Sequence, residues 1–342
     1  MKKRFALIFQ YIIFLGGGIA LIWWQFHSMT PVQLQQFRFA LSTAHYWILI
    51  PVTIVAIAGY ISRSLRWQLL IEHLGYTTSL SNVFGSLMIG YLINSFVPRL
   101  GEIIKCTLLG KYEKIPPQKL IGTIVAERVF DVICYVAFIV ITVFIQYKLV
   151  GGFVEKKLNE LFGNQTSVAI GVKLALYSLL LIAIIFLCRL VFKHYAHSKI
   201  VTKLKNFLNG LSEGVATIRD LQKKKAFLLH TAFIWSMYVV EIYIAFSSIK
   251  ETAHLGIGAA CSVLTLATLA MIVTPGGIGT FPTAVFLVLQ LYKIEGSIGE
   301  AFGWLMWGAT TFIILAVGTI SFAVLFHRHK LESQKQEVKI QK

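Results

Sequence analysis

The feature that most constrains this chain is the alternation of long apolar stretches with short basic ones. Residues 5–37 contain no Lys, Arg, Asp or Glu, and predominantly apolar runs recur at about 47–61, 121–147, 169–191, 226–249 and 301–326. About 20 apolar residues suffice to cross a bilayer as a helix. In hydrocarbon the backbone must satisfy its own hydrogen bonds, which a helix does. Only 14% of the residues are charged, where soluble domains carry about a quarter. The expected fold class is therefore all-α and integral to a membrane, with one polytopic domain over 1–327 and a basic tail over 328–342. The net charge of +17 would suggest nucleic acid on a soluble protein. Here the cations lie between apolar runs, so they report topology and contact with anionic lipids of the inner leaflet; no nucleic-acid partner is expected.

Basic residues assign the sides. The start Met1-Lys2-Lys3-Arg4, the stretch 194–225 and the segment after Phe326 are basic, and all three are expected in the cytoplasm. The apolar stretch after Arg4 is too long for a signal peptide's core and reads as a retained first helix. Residues 25–45 and 148–163 then belong outside. Parity produces an unusual consequence. Arg63 and Arg66 follow the second run, residues 99–119 are basic again, and a single apolar segment lies between them. The stretch 100–110 is too short to return across ~30 Å at about 1.5 Å per residue. A re-entrant hairpin over about 83–110 resolves this, turning near Pro98-Arg99-Leu100-Gly101.

A second hairpin is expected over about 256–292, entered from the other side. Thr274-Pro275-Gly276-Gly277-Ile278-Gly279-Thr280-Phe281-Pro282 cannot continue a regular helix, and unwound backbone at membrane depth must face protein or water. The expectation is thus about six full transmembrane helices plus two hairpins, an inverted repeat of topology without residue-level repetition. Residues 199–222 show helical apolar spacing, which predicts a cytoplasmic helix on the inner leaflet.

Ionisable groups inside apolar segments are costly and read first as functional. Arg99, Glu102 and Lys105 lie at the first turn. Glu127, Arg128 and Asp131 open a span, with Glu127 and Asp131 on one helix face. Glu241 stands alone between Tyr238 and Tyr243 and should pair, hydrogen-bond or remain protonated. Pro275, Gly276, Gly277 and Gly279 offer backbone amides at a half-helix N-terminus, which suits an anion. A guanidinium such as that of Arg99 or Arg128 matches phosphate oxygens. No nucleotide loop, HExxH or CxxC motif is present, and neither a metal nor another cofactor is expected.

Arg63-x-x-Arg66-Trp67, Pro98-Arg99-x-Gly101-Glu102-x-x-Lys105, Glu127-Arg128-x-x-Asp131 and Pro275-Gly276-Gly277-x-Gly279 occur in that order. Together they resemble the flippase-like family, also called the lysylphosphatidylglycerol synthase transmembrane region. The resemblance implies a cytoplasmic-membrane protein linked to moving lipids between leaflets. Bifunctional relatives join this module to a soluble lysyl-transferring domain. With sixteen residues after Phe326, that domain and its activity are expected to be absent. Lys105 stands where arginine is common in the family. The expected function is translocation of an anionic or polyprenyl-phosphate-linked lipid, with membrane lipid as substrate. The rivals are a lipid-headgroup enzyme using Glu102 and Glu127 as paired carboxylates, and a non-transporting partner of a lipid-biosynthesis enzyme.

Overall fold

The computed structural model describes residues 16–97, 99–147 and 219–340, and among these it contains helices and no strand. A first helix, α1, covers 16–28. It is followed by α2 (Pro31–Ser42), α3 (Leu49–His73), α4 (Leu80–Phe96), α5 (Leu100–Glu113), α6 (Pro117–Ile145), α7 (Lys224–Ala245), α8 (Ile257–Val273), α9 (Thr280–Leu291) and α10 (Gly296–Ile340). Local chemistry sets several boundaries. Thr30 and Gln33 form a reciprocal capping box before Pro31, satisfying amides that the first turn leaves free. Proline again occupies the start of α6, where its missing N–H costs nothing.

Four helices among the described residues are long and apolar enough to span a membrane: Tyr46–His73, Pro117–Ile145, Lys224–Ser248 and Gly296–Lys330. They carry large exposed apolar side chains such as Phe144, Leu229 and Phe312. Such surfaces are costly in water and favourable in lipid. The expected run at 169–191, the start of the first run and residues 199–218 of the cytoplasmic helix expected over 199–222 lie outside the described residues. Two boundaries differ from expectation. The run expected to end at Ile61 continues to His73, so Arg63 and Arg66 are inside a helix rather than after it. The expected tail continues α10 as far as Ile340.

Between the long helices lie two helical hairpins. In the first, α4 has 17 residues and α5 has 14; in the second, α8 has 17 and α9 has 12. At about 1.5 Å per residue, each arm falls short of a ~30 Å hydrocarbon core. The packing is paired throughout. The long helix α3 lies against its counterpart α7, while α4 packs on α10 and α8 packs on α6. All three pairs run antiparallel: Gly59 faces Met237 and Ser62 meets His230, Ser81 meets Arg328 and Leu92 lies on Gly318, and Thr142 meets Thr265 while Gln146 lies on Gly258.

The two hairpins open toward opposite ends of the bundle. At one end Lys223 pairs with Glu72 at 2.7 Å, and Glu113 accepts from Ser79 and Asn82. At the other, Ser297 bonds Gln36 and Ser262 meets Tyr292. Each hairpin roofs its own core. Trp67, Val83, Cys106, Leu109 and Ile124 pack beneath the first. Val52, Phe246, Val263, Val285, Leu289 and Phe302 pack beneath the second. The turns meet in the middle of the bundle, where a side chain on Gly276 would lie 3.6 Å from the Ser95 carbonyl oxygen.

Candidate functional site

The centre of the first half is an ion network joining α3, α5 and α6. Arg63 Nε donates to Glu127 Oε1 at 3.1 Å, Nη2 to Asp131 Oδ2 at 2.6 Å, and Nη1 to the Tyr238 hydroxyl at 2.9 Å. Arg66 Nη2 lies 2.7 Å from Glu127 Oε1 and 2.8 Å from Asp131 Oδ1, while Nη1 donates to Thr231 Oγ1. Arg66 and Glu127 are fully buried. The spacing explains the convergence. Arg63 and Arg66 are one helical turn apart, as are Glu127 and Asp131, so each pair presents both charges from one face.

Arg128 points elsewhere. Its Nε lies 2.8 Å from Glu102 Oε1 across the α5–α6 contact, with both side chains about a third exposed or more. The Nε proton is not aimed for a hydrogen bond, so this contact is an ion pair without directional bonding. A second approach, from Nη1 to Asp131 Oδ2, is 3.9 Å. Lys105, one turn beyond Glu102, faces inward. It is 1% exposed, and its Nζ lies 5.0 Å from the Trp67 ring centroid without a hydrogen-bond partner. Trp67 is itself held by a 2.9 Å bond to Thr123 Oγ1. Arg66 Nε, Glu127 Oε2, Arg128 Nε and the Ser86 and Tyr91 hydroxyls are also buried without a hydrogen bond. A concentration of unbonded polar atoms around one charge network is uncommon in a protein core, where buried polar groups are ordinarily bonded to protein or ordered water.

The hairpin itself depends on close helix approach. A Cβ on Gly101 would collide with the Gly90 carbonyl oxygen, and one on Gly90 would meet Lys105 Cβ at 3.0 Å. Asn94 Oδ1 accepts the Gly101 amide at 2.8 Å, satisfying a donor at the start of α5. Arg99 occupies the preceding position with φ of 68°, a left-handed conformation that costs about 1–2 kcal/mol for a residue with a Cβ. It is exposed at the turn.

The second turn is built without charge. Gly276, Gly277 and Gly279 take φ of 61°, 70° and 74°, where glycine is at ease. Pro275 begins the short 3-10 turn. Thr274 donates to the Ile278 carbonyl at 3.0 Å and Thr280 to the Ala270 carbonyl at 2.9 Å. Trp307 Nε1 donates to the Gly276 carbonyl at 2.9 Å.

The structure thus brings together Glu102, Lys105, Glu127, Arg128 and Asp131. Arg99 remains at the turn and makes no ion pair with described residues. The expectation of Glu102 and Glu127 as a carboxylate pair meets a different partition, since Arg128 holds one and Arg63 with Arg66 hold the other. Glu241 lies one turn beyond Tyr238 on α7 and forms no hydrogen bond or ion pair with described residues. Sequence reasoning treated Arg63 and Arg66 as topology markers and missed Tyr238, Thr231 and Asn94. The available signal was the i,i+3 arginine spacing followed by tryptophan, which a helix end does not require. Among the described residues no group of three or more His, Cys, Asp and Glu is placed to hold a metal.

The model of the lysylphosphatidylglycerol synthase transmembrane region matches residues 7–318, and the chain belongs to that family of membrane proteins. It is 25% identical over 253 residues to a UPF0104 membrane protein of Methanocaldococcus jannaschii, covering 70% of this chain and 73% of that protein. A second protein of the same description from that organism is 26% identical, covering 72% and 98%. One from Methanothermobacter thermautotrophicus is 22% identical, covering 70% and 73%. No solved structure matches.

Proposed function

We propose that this protein moves a lipid with an anionic, phosphate-bearing headgroup between the leaflets of the cytoplasmic membrane. The observation that carries the reading is the ion network, buried at Arg63, Arg66, Lys105 and Glu127 and open to the surface at Arg128 and Glu102, in which four cations stand against Glu102, Glu127 and Asp131 among the described residues. Burying charge inside an apolar bundle is costly, and an excess of one sign favours a ligand of the other. The hairpins read as re-entrant, one from the cytoplasmic side and one from outside. Their basic end, near Lys223 and Arg328, faces the cytoplasm by the positive-inside rule.

The N-termini of α5 and α9 both lie at the meeting turns, directing the positive ends of two half-helices toward the bundle centre. Arg99 meets the headgroup at the first turn, and the amides around Gly276, Gly277 and Gly279 receive it from the second. Antiparallel pairing of the two halves supports alternating access by rocking of one half on the other along α3 and α7. Glu241, half-buried in that contact and without a hydrogen bond or ion pair among the described residues, would carry the proton.

The test is translocation in proteoliposomes, with headgroup-labelled lipids quenched from outside, with and without a proton gradient. Wild type should move an anionic lipid, and Arg128→Ala should abolish most of that movement while the protein stays folded. No movement of any lipid by folded wild type would overturn the reading and turn attention to a headgroup-modifying enzyme or a biosynthetic partner.

A further inference from the structure

Arg63 also reaches a second polar cluster, held between α3, α4 and α7. Its Nη1 donates to the Tyr238 hydroxyl at 2.9 Å, and its guanidinium stands 6.0 Å from the centre of the Tyr91 ring. Tyr60 packs on Tyr91 with ring centroids 5.6 Å apart. Glu241 belongs to the same cluster. It follows Tyr238 by one turn of α7, which puts the two on one helix face. It also acts electrostatically on Tyr60, as do Tyr238, Tyr91 and Arg63.

The hydrogen bonds of this cluster are incomplete in a complementary way. The Tyr91 hydroxyl is buried without a partner, and the Tyr60 hydroxyl makes no hydrogen bond among the described residues. Tyr238 accepts from Arg63, while its own proton has no acceptor there. Three phenolic protons thus lack acceptors beside a carboxyl group that lacks donors. A carboxyl group inside an apolar bundle either finds donors and cations or holds a proton. Glu241 has both choices within reach. The other elements packed around α7 offer no rival partner. On α8 there is no Lys, Arg, His, Asp or Glu, and its Cys261 lies beside Tyr292. On α6 the Tyr135 hydroxyl donates to the Thr265 carbonyl, while Glu127 and Asp131 are held by Arg63 and Arg66.

We infer that Glu241 is a reversible proton-binding site, and that Tyr60 and Tyr238 transmit its charge to Arg63. This deepens the translocation reading, on which it rests for the use made of the proton. One proton exchanges between the carboxyl group and water, and no phenol ionises. With the proton bound, Arg63 is held chiefly by Glu127 and Asp131. When the proton leaves, the Tyr60 and Tyr238 hydroxyls turn to donate to the carboxylate. A hydroxyl that donates also accepts more strongly, so Tyr238 holds Arg63 more firmly, and the carboxylate attracts the same guanidinium. The proton thereby shifts the hold on Arg63 between α6 and α7, and biases the α3–α7 contact along which one half rocks on the other.

The proton site is tested without transport, by infrared difference spectroscopy of the purified full chain in detergent as pH is stepped. The band of a buried protonated carboxyl should titrate in wild type and be absent from Glu241→Gln. It should persist in Glu251→Gln, at an exposed acid in the loop before α8. Tyr60→Phe and Tyr238→Phe keep the rings and remove the donors, so each should raise the midpoint by about one pH unit, about tenfold in proton affinity. In proteoliposomes a proton gradient should change the rate of lipid movement in wild type, and Glu241→Gln should remove that response. Identical bands in wild type and Glu241→Gln, or a Glu241 band that ignores pH, would overturn the proton site. So would loss of the band on adding sodium at constant pH, which would make this a metal-cation site. Unmoved midpoints in both tyrosine variants would overturn the link to Arg63, and wild-type lipid movement that ignores the gradient would overturn the coupling. A titrating Glu241 in folded protein that moves no lipid would instead remove the translocation reading and leave the proton site standing.

Discussion

The two hairpins share a plan and solve it with opposite chemistry. Each has a 17-residue first arm and a shorter second arm, and each packs its first arm on the long final helix of the other half. The first carries Arg99, Glu102, Lys105, Lys111 and Glu113 on or before α5. The second has no Lys, Arg, Asp or Glu between Ile257 and Leu291. Its polar bonding comes from threonine hydroxyls on local carbonyls, at Thr265, Thr268, Thr274, Thr280 and Thr283. These bonds close within the hairpin, and its links to other helices are neutral too, at Thr142 on α6 and Trp307 on α10. Glu102 instead takes a charged partner, Arg128, from α6, which ties the first hairpin to its neighbour through charge.

The difference should appear most strongly in the response to a single deletion. Glu127→Ala leaves Asp131 as the one carboxylate bonded to Arg63 and Arg66 among the described residues and should destabilise the protein by about 3–5 kcal/mol, read as a large fall in thermal midpoint of the purified protein. A small change would mean that Asp131 suffices for both arginines and that the charge network beside the first hairpin is no more sensitive to a deletion than the neutral second turn. Glycines sharpen the contrast at the next level. Gly101→Ala drives a Cβ into the Gly90 carbonyl and should cost about 1–3 kcal/mol through separation of α4 and α5.

Gly276→Ala has space around it, with the nearest atom 3.6 Å away, and fails on backbone sign alone. Its cost of about 1–2 kcal/mol should be partly recovered in Gly276→Asn, because asparagine enters the left-handed region more readily. Equal loss with alanine and asparagine would show that packing, not φ, decides the second turn. Thr274→Val, which removes a 3.0 Å bond to the Ile278 carbonyl, should cost about 1 kcal/mol. Arg99→Gly should act in the reverse sense. It relieves a φ of 68° and should raise stability by up to about 1 kcal/mol while lowering transport, the pattern expected when strain is retained for function.

Much of this was legible in the residues. The Pro-Gly-rich break at 274–282 placed the second turn. The shortness of the apolar segment before Arg99 placed the first. Both were readable because they depend on local backbone preferences and on length against bilayer thickness. The pairing of Glu127 and Asp131 on one face followed from helical periodicity. Arg63 and Arg66 were misjudged because hydropathy reads a positive charge as an end of a span. A helix continues through arginine when carboxylates from another helix neutralise it, and no window along the sequence contains that other helix. Asn94 was silent for a related reason: its bond to the Gly101 amide exists only once the turn has folded back.

The sequence by itself therefore determined the medium, the helices and the two breaks, since hydropathy, charge scarcity and backbone conformation act over a few neighbouring residues. Tertiary structure alone decided which charges neutralise one another. Arg63 and Glu127 are joined by 3.1 Å across 64 residues of chain, whereas Lys105, amid the same charges, makes no hydrogen bond or close ion pair with the described residues. Charge energies depend on distance and burial rather than order along the chain, so the pairing of these charges became visible only when α3, α5 and α6 were placed together.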